Sequence, residues 1–142
     1  MTPSDALTPQ PTSPREIGEL LARFELARSD ALVAAQSVDG RYVDAYTAGF
    51  LLAKIIVRAS GYRVRGGENH RDTLSVIPWL MGTRAQEVVD ALESARKKRN
   101  ADLYDGVELV DEEDVAALLR RIEGFEGMVR EWLDETHPNL LG

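Results

Sequence analysis

The chain has no cysteine, two histidines, few aromatic residues and no long apolar run. Missing thiols exclude disulfides and thiolate nucleophiles, and fit a reducing compartment. The histidines are His70 and His137, the latter beside Pro138 near the chain end. A histidine-based metal site within one chain is therefore not expected. The longest apolar stretch, Ala48 to Val57, is interrupted by Lys54 and is too short to span a bilayer. The first residues lack the basic-then-apolar layout of a secretory signal. These absences predict a soluble cytoplasmic protein with no membrane partner, metal or cofactor.

What is present begins with acidity. A net charge of −7 argues against general nucleic-acid binding. The charge is unevenly spread, however. Lys54, Arg58, Arg63, Arg65 and Arg71 face a single acid, Glu68, in the middle of the chain, and Arg96 to Arg99 adds four more basic residues. From Ala101 onward acids dominate. The middle of the chain is thus able to present a basic patch although the whole is acidic.

A length of 142 residues suits one domain with one core. Residues 1–13 hold Pro3, Pro9 and Pro11 among Ser, Thr and Asp, and predict a disordered tail. The folded body is expected over 14–136, with a short tail over 137–142. Helix 1 should start at Ser13, with Pro14 in the first turn and Glu16 completing a capping signal. Helix 2 should run from about Asp39 or Arg41 to Ser60 and stop at Gly61. It is apolar almost all round, which marks it as the central helix.

A loop to Asn69 follows. Its Gly66-Gly67 pair lacks the Lys-Ser/Thr of a P-loop. Helix 3 is expected from His70 to Met81, broken or bent near Pro78. Helix 4 should run from Arg84 to about Leu103, capped by Thr83 with Gln86. Helix 5 should start at Asp111 and turn Val115, Leu118, Leu119, Ile122, Phe125, Val129, Trp132 and Leu133 inward. Trp79 and Trp132 read as core or interface anchors. No strand alternation appears. The expected fold is all-α, an up-and-down helical bundle of four long helices plus one short helix.

The end of helix 4 carries the most informative run, Arg96-Lys97-Lys98-Arg99-Asn100-Ala101-Asp102-Leu103-Tyr104. At ~100° per residue, Ala85, Val88, Val89, Leu92 and Leu103 share one face, and Arg96 and Arg99 fall within roughly 30° of its centre. Buried charge is costly unless it is paired or opens onto a cleft or partner. An ion pair with a neighbouring helix, or snorkelling at the bundle edge, also accommodates these arginines.

The order of elements and the closing Arg99-Asn100-x-x-x-Tyr104 resemble the HEPN superfamily of small helical bundles. The resemblance covers about residues 15–135. Its hallmark is an Arg, often followed by a polar residue such as Asn, and then a His a few residues on. Arg99 and Asn100 match; Tyr104 stands where the family carries His. The resemblance implies an RNA-directed protein, including metal-independent ribonucleases of toxin–antitoxin or defence systems. It implies a homodimer with motif helices facing one cleft, and an antitoxin or a nucleotidyltransferase as further partners. The alternative is a non-catalytic interaction module or accessory subunit.

Under that resemblance Arg99, Tyr104 and Asn100 are the catalytic candidates. Arg96, Arg63, Arg65 and His70 are the candidates for RNA binding. An Arg fork suits the extra phosphate charge of 2′-hydroxyl attack, and His suits proton transfer near neutrality. Tyr is a poor base, with a reference pKa near ~10, but it donates hydrogen bonds and stacks on bases.

Overall fold

The computed structural model describes residues 3–67, 69–105 and 110–141, without the side chains of 3, 4 and 100–105. Helix dominates. The five α-helices among the described residues are α1 (Pro14–Ala31), α2 (Val38–Ala59), α3 (His70–Met81), α4 (Gln86–Asp105) and α5 (Glu112–Thr136). Two short strands, β1 (Leu7–Pro9) and β2 (Tyr62–Val64), pair antiparallel.

Local signals account for the helix ends. The Ser13 hydroxyl accepts the Glu16 N–H at 3.2 Å, and Pro14 fills the first turn, where its missing N–H costs nothing. Ser37 caps α2 through the Gly40 N–H, and Asn69 caps α3 through the Asp72 N–H. Asp111 and Asp114 exchange backbone hydrogen bonds in a reciprocal capping box. Gly61, at φ 86°, follows α2 in the left-handed region that glycine tolerates.

Helix α2 is the hub. It packs against α1, α3, α4 and α5. Its buried residues surround the axis from Ala45 to Ala59, as expected for a helix without a solvent stripe. Around it α1 buries Ile17, Leu20, Phe24, Ala27 and Ala31, and α5 buries Val115, Leu118, Ile122, Phe125, Val129, Trp132 and Leu133. Both sets follow the 3–4 spacing of a helix face. Gly49 marks a close crossing, since a Cβ there would lie 2.5 Å from Cδ2 of Leu92 on α4.

The structure corrects several expectations. The proline-bearing segment is not a free tail. Leu7 pairs with Val64, Thr8 with Arg63 and Pro9 with Tyr62. Leu7 is only 4% exposed. Arg58 ties this segment to the core and is itself 5% exposed. Its guanidinium donates to both Glu16 carboxylate oxygens (3.2 and 2.8 Å) and to the carbonyls of Gln10, Pro11 and Tyr62 (3.1, 2.9 and 2.6 Å). Every one of its N–H donors is used.

The chain end is also packed. Pro138–Leu141 forms a 3-10 turn against α1 and α5, with Leu140 buried. Pro78 does not break α3, which continues to Met81. Thr83 does not cap α4 through its side chain. It opens a 3-10 turn after Gly82, which sits at φ 111°.

Candidate functional site

Helix α4 buries Val88, Val89, Leu92 and Ala95, continuing from Ala85 at the end of the preceding 3-10 turn. The same face then continues into Arg96 and Arg99, both half-buried. The Arg99 guanidinium lies over the Tyr46 ring, 4.8 Å from its centroid. A flat guanidinium on an aromatic face is a favourable cation–π arrangement. Its Nε, however, is buried without a hydrogen-bond partner among the described residues. A buried, unpaired donor carries a desolvation cost.

Arg96 is paired. It binds Glu93, one turn earlier on its own helix, through both nitrogens of the fork at 3.1 and 2.5 Å. The hydrogen bonds from Arg96 hold the Glu93 carboxyl below its ordinary value, with Lys97 and Arg71 adding to the pull. The partner is thus supplied by the same helix, not by a neighbouring one.

Tyr46, at 0% exposure, joins two further elements. Its hydroxyl lies 2.8 Å from Nδ1 of His70, the first residue of α3. The His70 ring stacks on Phe50 at 3.8 Å with planes 4° apart. Tyr46 and Phe50 sit one turn apart on α2, so both rings project toward α3. Burial pushes the Tyr46 phenol up to about 12, against the opposing pull of Arg99 and Arg96. The phenol is therefore neutral at physiological pH. The imidazole tautomer sets the direction of this bond: the phenol donates to a bare Nδ1, and its oxygen accepts from a protonated one.

The cluster brings together three of the seven residues singled out in sequence: Arg99, Arg96 and His70. Arg63 and Arg65 lie elsewhere. Arg63 is exposed on β2 and lines a separate cavity with Lys54. Arg65 is also exposed and donates from Nε to the Leu7 carbonyl at 3.4 Å. The side chains of Asn100 and Tyr104 lie outside the described residues, although both positions fall within α4.

Sequence reasoning missed Tyr46, Phe50 and Glu93. Tyr46 and Phe50 carried a signal, being aromatics at i and i+4 on the central helix. Nothing local indicated that α3 would place a histidine on them. Among the described residues no group of three or more His, Asp or Glu is arranged to hold a metal ion. Comparison with protein-family models, curated proteins and solved structures finds no match.

Proposed function

We propose that this chain is an RNA-directed protein of the HEPN type, an up-and-down helical bundle acting as a homodimer at the Arg99–Tyr46–His70 cluster. The observation that carries the reading is the pairing of an incompletely satisfied arginine with a histidine through one buried tyrosine. Arg99 supplies a permanent positive charge for a phosphodiester. His70 supplies the proton-transfer group that Tyr104 does not.

The reaction this supports is internal transfer in RNA. The 2′-oxygen attacks phosphorus, forming the O2′–P bond and breaking P–O5′. With His70 in the tautomer that carries its proton on Nδ1 and donates it to the Tyr46 oxygen, the 2′-hydroxyl proton passes to Nε2, and the departing 5′-oxygen takes a proton from water. Tyr46 holds the imidazole orientation through both protonation states. Arg99 offsets charge on the non-bridging oxygens. A toxin or defence role, with an antitoxin partner, follows from the family resemblance alone.

The second reading, a non-catalytic accessory subunit such as a nucleotidyltransferase partner, is favoured by one residue, Tyr104 in place of His.

Single-stranded RNA incubated with the protein, with and without a chelator, separates the two. Cleavage insensitive to chelator and abolished in Arg99→Ala and His70→Ala supports the catalytic reading. Binding without cleavage supports the accessory one. In either case Arg99→Ala should weaken RNA binding by about 1–3 kcal/mol, the size of a lost charge-assisted contact, and added salt should weaken it further. If the wild type neither binds nor cuts RNA, the RNA-directed reading is wrong.

A further inference from the structure

Glu93 sits among cations from two helices. Arg96 grips its carboxylate with two nitrogens of the fork. Lys97, next on α4, and Arg71, on α3, act on the same carboxyl. Arg99 lies one turn beyond Arg96, and Arg99, Arg96 and Glu93 all act on the Tyr46 phenol. Arg71, Arg96, Lys97 and Arg99 thus gather near one carboxylate. Asp72, 3.9 Å from Nε of Arg71, is a second acid of the group.

The two arginines of the α4 stripe differ in state. Arg99 lies on the Tyr46 face and keeps a buried Nε without a partner among the described residues. Arg96 has its fork filled by a carboxylate of its own helix. That carboxylate is easily displaced. Both side chains reach solvent, at 20% and 26% exposure, and pairs one helical turn apart are among the weakest ion pairs. A guanidinium fork takes a phosphate in the same bidentate geometry as a carboxylate.

We infer that Glu93 stands in for a phosphate: its carboxylate holds the Arg96 fork until a ligand with two consecutive phosphates places one on Arg99 and the other on Arg96. The inference rests on the RNA-directed reading of this cluster and adds a specificity to it. A ligand with one phosphate meets Arg99 and leaves Arg96 with Glu93. A ligand with two brings a second anion, which exchanges with the carboxylate. Residues three apart on a helix have Cβ atoms about 5–6 Å apart, so the two forks suit neighbouring phosphates of one strand. Lys97 and Arg71 keep the surroundings positive while Glu93 is displaced. Glu93 therefore selects a run of phosphates over a single one.

Calorimetric titration of the full chain with UpU, which has one phosphodiester, UpUpU, which has two, and inorganic tripolyphosphate tests this. Wild type should bind UpUpU at least about tenfold more tightly than UpU, as for one added charge-assisted contact. Glu93→Gln should tighten UpUpU and tripolyphosphate about fivefold, the worth of one partly screened ion pair, and change UpU by less than about twofold. In an Arg96→Gln background the same substitution should have no effect. Glutamine matches the shape of the half-buried Glu93, so the variant should keep the wild-type circular dichroism. UpUpU binding no tighter than UpU, equal tightening of UpU and UpUpU in Glu93→Gln, no tightening of a ligand that binds, or tightening that persists without Arg96 overturns the inference. If tripolyphosphate binds and responds to Glu93→Gln while neither uridylate binds, the site takes consecutive phosphates and the RNA-directed reading is the one that is wrong. If nothing binds, both fall.

Discussion

Tyr46 concentrates several physical demands on one side chain. It is buried to 0% exposure, carries a guanidinium on its face and holds His70 by its hydroxyl. Burial raises its pKa from 10.0 to about 12. A raised folded pKa means stability is fully present below the unfolded value and is lost as pH climbs toward the folded one. Between pH 10.0 and about 12 the unfolded phenol ionises while the folded one resists. Urea midpoints should therefore fall across that window. Tyr46→Phe should remove part of that fall, and should cost about 1 kcal/mol at neutral pH for the lost hydrogen bond. A variant with the same alkaline slope as wild type would show that Tyr46 does not titrate differently on folding.

Between elements, Arg58 does the joining. It reaches from the end of α2 to the start of α1, to the segment after β1 and to β2. The hydrogen bond from Arg58 is the largest influence holding the Glu16 carboxyl below its ordinary 4.5, with Thr12 helping against burial. A lowered folded pKa gives stability that is present above the unfolded value and is lost as pH falls through the folded one. Acid unfolding should thus begin below the ordinary carboxylate value. Arg58→Met takes the guanidinium donors from the Gln10, Pro11 and Tyr62 carbonyls and leaves Glu16 with only the Thr12 hydroxyl, and should cost about 3–5 kcal/mol by urea denaturation. The same variant should flatten the acid limb. An intact acid limb in Arg58→Met would assign that sensitivity to other carboxylates.

For the whole molecule, the question is what covers the far end of α4. Leu92 and Ala95 are buried within one chain, whereas Arg96 and Arg99 on the same face are half-buried. Trp79 is 51% exposed, so it is not a core residue. Together with the HEPN resemblance, this predicts a homodimer whose α4 ends share a cleft. Light scattering at micromolar concentration should give twice the chain mass of 15.7 kDa. A monomer at all concentrations would confine the site to one chain. No helix among the described residues is long and apolar enough to cross a membrane.

Helix α3 was legible from His70 to Met81, and α5 from Asp111 onward, because caps and apolar spacing act within one or two turns. The Arg96–Arg99 face could likewise be placed by helical periodicity. The pairing of Leu7–Pro9 with Tyr62–Val64 could not, because three residues are too few to alternate and their partner is more than fifty positions away. Nor could the fate of the arginines be told apart locally. Arg58 is consumed by Glu16 and by carbonyls from two segments, Arg63 lines a cavity, and Arg99 is laid on a tyrosine. The amino-acid order by itself determined where helices begin, end and turn their apolar faces, since those choices depend on neighbours within a turn. Only the tertiary structure decided which charges are satisfied and that His70 meets Tyr46, because both depend on how α2, α3 and α4 pack together.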